Sequence, residues 1–442
     1  MPVAPVNTVL TDHAVAVTAG RIVALGPSAQ LQARFEPRER VLRGEHALLP
    51  GFVNAHTRAA MTLLRGLPVY GPRMRWLWET VLPVEQRCMS PDFVRDGTQQ
   101  AIAEMLRAGI TSFADMYLFP EEAARVAGAA RVRAAIGLPV ADGPTPWAES
   151  ATAHLANAER LWDEYQSDPW VSLYFAPHTA HALSDATLAR VRRVADELDA
   201  RVAMHIGEHE ARRPLRRLQE LGLLRPGFTA VQPRRLDEED LEIVTRTGIC
   251  IVACPQATLR FGGDLWPLAE LDAQHVSIGL GTDTPAGVGA LDILAEARIA
   301  ALVEQVARGK TADSRAAAPR ATIPAGTERA PESGTHELSS ADVLRIATLG
   351  GAAALGLASL VGSIEPGKAA DLVCFDLSTL PCQPCARPAD TILFAATRNQ
   401  VTDVWTSGRA AVSDGHLLAF DEQELRALAR QWAERIRMGV AA

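Results

Sequence analysis

Eight short apolar runs, spaced by amphipathic stretches, constrain what this chain can fold into more than any other feature of its sequence. The runs cover 48–56, 110–116, 132–140, 171–178, 201–208, 229–232, 249–255 and 276–283. Each has the length of a strand, and near-continuous apolar character marks strands buried on both faces. The stretches between them carry helix signals. Ser90 followed by Pro91 reads as an N-cap with proline at the first helical position, and Gly109 closes that segment. Ser184 and Asp237 read as caps of the helices after the fourth and sixth runs. Strands alternating with helices require parallel pairing through crossovers. Eight such units predict a closed α/β barrel of the (β/α)8 TIM type rather than an open doubly wound sheet.

The flanks read differently. Residues 1–48 and 361–418 carry short β pieces and turns, and neither piece is long enough to bury a core alone. Together they predict one small β-sandwich domain built from both ends of the chain, beside a barrel over 49–360. A C-terminal helix is expected over 419–442. Residues 308–335 are rich in Ala, Pro, Gly, Ser, Thr and charges without apolar period, so a flexible surface insertion is expected there. With 442 residues and 48% hydrophobic content, the chain can bury one large core and a smaller one.

Charge narrows the partners. The 44 basic and 52 acidic side chains give a net −8, which argues against nucleic acid or an anionic membrane as the main partner. No stretch approaches the ~18 apolar residues of a membrane span. The first residues lack a basic region followed by an apolar one, so no signal peptide is predicted. Cys382 and Cys385 have CxxC spacing but no second pair at zinc-ribbon distance. A reduced, cytoplasmic protein acting on a small molecule is the expectation, and a homo-oligomer remains open.

Barrels of this kind carry their sites at the C-terminal ends of the strands. Those ends here hold His56, His178, His205 with Glu208 three residues on, Gln232 and Asp283. Polar residues closing five otherwise apolar runs form a more specific signal than any one motif. Asp115, at the end of the second run, reads as structural.

At these residues the chain resembles the amidohydrolase superfamily, in its 5′-methylthioadenosine/S-adenosylhomocysteine deaminase and chlorohydrolase-like branch. The matching stretches include Leu49-Pro50-Gly51-Phe52-Val53-Asn54-Ala55-His56-Thr57, Ala176-Pro177-His178, Met204-His205-Ile206-Gly207-Glu208, Gly281-Thr282-Asp283 and Gly362-Ser363-Ile364-Glu365-Pro366-Gly367-Lys368. They run through almost the whole chain. The resemblance implies hydrolysis of a C–N bond in a purine-nucleoside-like or other heterocyclic ligand. It implies one divalent metal, zinc or iron, held by an HxH pair after strand one, a His after strand five and an Asp after strand eight. It also implies a polarising His after strand six and a proton-shuttling Glu at the position of Glu208. Metal-bound water, its pKa lowered to near neutrality, would be the nucleophile. His178 and Trp76, the latter aligning with a lid-loop Trp of the family, would face the ligand.

Two positions depart from that pattern. The HxH pair reads His56-Thr57-Arg58, and the strand-six His is Gln232. Arginine offers donors and no lone pair, and it stays charged in a protein. At ~4 Å and an effective dielectric of ~20 it would repel a metal by about 4 kcal/mol per unit of ionic charge. Gln232 can hydrogen-bond but cannot exchange a proton near neutral pH. Two readings follow: a metal-dependent hydrolase on His56, His205 and Asp283, with Glu208 and Asp283 catalytic, or a metal-free relative in which Arg58 replaces the ion and pairs with Asp283. In both, Trp76, His178, Glu208 and Gln232 are the expected ligand contacts.

Overall fold

A computed structural model describes residues 1–207, 214–233, 236–263, 267–315 and 337–439, with helical backbone alone over 308–315. An N-terminal hairpin, β1 (His13–Thr18) and β2 (Arg21–Pro27), precedes β3 (His46–Pro50). The barrel strands follow as β4 (Phe52–Thr57), β5 (Ile110–Asp115), β6 (Arg133–Val140), β7 (Val171–Pro177), β8 (Arg201–His205), β9 (Phe228–Val231), β10 (Cys250–Ala253) and β11 (Ile278–Leu280). They pair in sequence order as one eight-stranded parallel sheet. All eight expected runs are strands of a TIM-type barrel. The first run is split, because the chain turns at Gly51 and gives its leading part to another sheet. A Cβ at Gly51 would lie 2.2 Å from Thr111 Oγ1, so only glycine fits that crossing.

The sheet closes at its C-terminal end. Thr282 N and Asp283 N donate to His56 O at 2.9 and 3.1 Å, and Arg58 N donates to Asp283 O at 3.3 Å. Gly281 permits this approach, since a Cβ there would meet His56 O at 2.7 Å. The Asn54 side chain locks the seam just below, donating to Thr282 Oγ1 at 2.8 Å and accepting from Thr282 N at 3.1 Å. Strands one and eight are thus held together where their polar ends meet.

The crossover helices begin where the capping residues predict. Ser90 accepts from Phe93 N at 3.2 Å and Ser184 from Thr187 N at 3.3 Å. Asp237 accepts from Asp240 N at 3.0 Å in a reciprocal capping box. A second sheet, antiparallel, joins β3 to β12 (Leu372–Asp376), β13 (Val401–Thr406), β14 (Arg409–Ser413) and β15 (His416–Leu417). With the β1–β2 hairpin it forms the separate β domain, where Ile22, Ile364, Ala370 and Leu372 make a small core of their own. The chain ends in the helix Glu422–Met438, whose Trp432 is buried against Phe93.

The helix after β11 runs Ile293–Arg315, so it continues into the segment expected to be a flexible insertion from residue 308. Residues 316–335 of that segment lie outside the described residues. No described helix is long and apolar enough to cross a membrane.

Candidate functional site

The polar strand ends converge at the C-terminal mouth of the barrel. His56 from β4, His205 from β8 and Asp283 just past β11 are each buried, with ligand atoms within 4.8 Å of one another. The rings of His56 and His205 meet edge to face at 4.7 Å, and His178 continues the row 5.2 Å from His205. His56 Nε2 and Asp283 Oδ1 stand 3.6 Å apart, and neither has a hydrogen-bond partner among the described residues. Burial depresses the pKa of both His56 and His205, which leaves their imidazoles neutral at neutral pH.

Two guanidiniums enter this cluster. Arg58, two residues beyond His56, donates from Nη2 to His178 Nε2 at 2.6 Å and lies 3.5 Å from His205 Nε2. Its Nε sits 4.0 Å from Asp283 Oδ1, outside hydrogen-bond range. The close cation on Asp283 is a different residue, Arg73, whose Nη1 is 3.2 Å from Oδ2. Arg73 also donates to Gln232 Oε1 at 3.0 Å, while Gln232 Nε2 reaches Asp283 Oδ2 at 3.4 Å. Burial alone would raise the Asp283 pKa, but Arg73, then His56 and Arg58, outweigh it and hold the carboxyl well below its usual range. Gln232 and Asp283 both adopt left-handed backbone, at φ 46° and 52°. That conformation costs non-glycine residues roughly 1–3 kcal/mol and tends to persist where it aims a functional side chain.

Arg73 was not visible from strand positions. It comes from the short helix Arg73–Trp76 in the excursion between β4 and the helix Pro91–Arg107, and its guanidinium lies 5.6 Å over the Phe261 ring. Trp76, expected to face the ligand, is 3% exposed and already packed on Phe261 with ring centroids 5.2 Å apart. Arg73, three residues earlier, reaches Asp283 and Gln232 instead. Glu208 lies outside the described residues.

Three more acids stand close by. Asp115 accepts from Ala59 N at 2.7 Å, and burial pushes its pKa up to about 7. Glu85, from the same excursion as Arg73, accepts the Tyr117 hydroxyl, and burial raises its pKa too. Glu296 is fully buried and accepts from Gln256 N at 2.9 Å and Gln256 Nε2 at 3.0 Å, with its pKa pushed by burial up to about 8. None of Glu85, Tyr117 and Glu296 closes a strand, so strand-end reasoning passes over them.

Comparison with known proteins agrees with this architecture. The model of the amidohydrolase family matches residues 47–411. A 5-methylthioadenosine/S-adenosylhomocysteine deaminase of Teredinibacter turnerae is 34% identical over 446 residues, covering 99% of this chain and 96% of that protein. A protein of the same name from Thermodesulfovibrio yellowstonii is 32% identical, covering 98% and 95%. Among solved structures, an adenosine deaminase from Xanthomonas campestris with bound zinc superposes with a TM-score of 0.92 at 39% identity, over 99% of this chain and 97% of that one. Atrazine chlorohydrolase TrzN of Arthrobacter aurescens, at 20% identity and a TM-score of 0.81 over 96% and 95%, shares the fold. On these matches and the barrel-mouth geometry, the chain belongs to the amidohydrolase family.

Proposed function

We propose that this protein binds a purine-like or related planar heterocycle at the barrel mouth, and that Arg58 stands in place of the divalent metal of its relatives. The observation carrying this is where the Arg58 guanidinium lies. It spans from His205 Nε2, at 3.5 Å, to Asp283 Oδ1, at 4.0 Å, two of the three groups that would hold an ion. Zinc sits ~2 Å from its nitrogen and oxygen ligands. With Arg58 so placed, the donor set does not fit a bound divalent ion. Gln232 adds to the case, because its amide contacts Asp283 and Arg73 but is neither acid nor base near neutral pH. The purine-like ligand class rests on the substrates named for the 34%-identical relative and on adenosine for the 39%-identical structure.

One observation favours a second reading, metal-dependent hydrolysis of such a ligand. Among the described residues, His56 Nε2 and Asp283 Oδ1 are buried without hydrogen-bond partners, as atoms awaiting an ion would be. If Arg58 swung outward, His56, His205 and Asp283 would leave a fourth position open for water, the pattern of a catalytic zinc site.

Metal analysis and an ammonia assay separate the two. Protein produced in zinc-supplemented medium and purified without chelator is expected to hold far less than one metal per chain. It should release no ammonia from adenosine, 5-methylthioadenosine or S-adenosylhomocysteine. Near-stoichiometric zinc together with turnover of ~1 s⁻¹ or more would overturn the metal-free reading in favour of the hydrolase.

A further inference from the structure

The unmet requirement in this site belongs to Arg58. Its side chain is 11% exposed, so it is largely withdrawn from water. The acceptors it reaches are imidazole nitrogens of His178 and His205, which carry no negative charge. Its Nε–H is buried with no acceptor among the described residues. The carboxylate within 4.0 Å of it among the described residues is Asp283, whose other oxygen is held by Arg73. Two further carboxyls face Arg58, and both are engaged elsewhere: Asp115 with Ala59 N, and Glu85 with the Tyr117 hydroxyl. A buried cation with an unused donor is costly, and charge-assisted bonds to an oxyanion are the strong way to satisfy it.

We infer that the ligand of this site carries an anionic group, a carboxylate or an equivalent oxyanion, received by Arg58 between His178 and Asp283. The fork of Arg58 suits a planar carboxylate, with Nε the unspent donor. This rests on the metal-free reading above and adds to it the charge of the ligand.

The test compares isosteric charged and neutral probes on zinc-free protein at fixed ionic strength. Sodium formate should raise the Tm of the wild-type protein where formamide does not. Nicotinate should bind at least ten-fold more tightly than nicotinamide by calorimetry. Arg58→Gln should abolish the formate response, and if that variant does not fold, the nicotinate-to-nicotinamide ratio on the wild-type protein decides alone. Equal binding of the charged and neutral members, or no response to either pair, overturns the inference, and so does an unchanged formate response in Arg58→Gln. A crystal structure with Arg58 Nε bonded directly to Asp283 or Glu208 would overturn it as well, because the charge would then be met within the chain. Metal content measured on the same preparations keeps the two ideas apart. Stoichiometric zinc removes the metal-free reading, whereas zinc-free protein indifferent to anions removes only this inference.

Discussion

At the scale of single residues, two arginines, Arg58 and Arg73, stand beside the three candidate metal ligands His56, His205 and Asp283. Arg58 follows His56 so closely that strand geometry alone brings it to the mouth, where it meets His178 and His205. Returning imidazoles to both altered positions should reverse its effect. We expect Arg58→His with Gln232→His to take up close to one zinc per chain by elemental analysis, because His56, His205 and Asp283 are already gathered within 4.8 Å. Uptake no greater than that of the unaltered protein would mean the positions no longer converge on an ion. Arg73 has a different role. Its contact with the fully buried Asp283, at 3.2 Å, is that of a buried ion pair, and removing one member of such a pair leaves an uncompensated charge. Arg73→Ala should therefore lower stability by roughly 3–5 kcal/mol in denaturant unfolding of zinc-free protein. A loss below about 1 kcal/mol, the range of exposed pairs, would show that water screens the contact.

At the scale of elements, what the sequence made legible follows from which rules are local. Strand length, apolar continuity and the caps at Ser90, Ser184 and Asp237 are local, and each appears where the pattern places it. The strand-end residues His56, His178, His205, Gln232 and Asp283 inherit that legibility, since any barrel strand delivers its last residues to the mouth. Arg73, Glu85 and Glu296 do not, because they arrive on segments whose docking depends on long-range packing with no periodic signal. Glu296 shows the consequence most plainly. It lies on the helix Ile293–Arg315 and meets Gln256 from the helix Pro255–Arg260. Burial raises its folded-state pKa from 4.5 to about 8, so the folded protein binds this proton more tightly than the unfolded chain does. The linkage sign is then fixed: stability from this group is greatest below about pH 4.5 and is lost as pH rises towards 8. Within that window the loss is at most about 1.4 kcal/mol per pH unit. Glu296→Gln should flatten the fall in stability between pH 5 and 8 relative to the wild-type protein, as read from urea midpoints. Parallel pH profiles for the two proteins would mean that Glu296 is ionised and compensated in the fold.

At the scale of the whole molecule, the β domain and the barrel are joined by chain continuity and by a buried charge, so their stabilities should be coupled. The run β3–Gly51–β4 passes from one sheet into the other without a linker, with Gly51 N donating to Asp371 O at 2.9 Å. Phe52 of the barrel packs edge-on against Phe375 of the β domain at 5.9 Å. Across the same junction Arg133, at the start of β6, donates from Nε to Asp371 Oδ2 at 3.1 Å, and its guanidinium lies 5.2 Å over the Trp170 ring. Asp371 Oδ1 accepts from Ser407 N at 2.7 Å, in the turn between β13 and β14. One carboxylate thus ties a barrel strand to a turn of the β domain, with both partners almost wholly buried. Burial pushes the Asp371 pKa above its ordinary range even with Arg133 alongside, which shows how little water reaches the pair. Asp371→Ala would leave Arg133 without its carboxylate, keeping only the neutral acceptors Pro169 O and Ser407 Oγ among the described residues, and Ser407 N without the Asp371 acceptor. A loss of roughly 3–5 kcal/mol is expected for such a break. Asp371→Asn keeps an acceptor for Ser407 N and should cost less. Because the junction is shared, the loss should move the whole unfolding transition. Intrinsic fluorescence, which senses Trp170 in the barrel and Trp405 in the β domain, and far-ultraviolet circular dichroism should shift together in Asp371→Ala. Two separated transitions, with the barrel melting where the wild-type protein does, would show that the junction leaves the domains energetically independent.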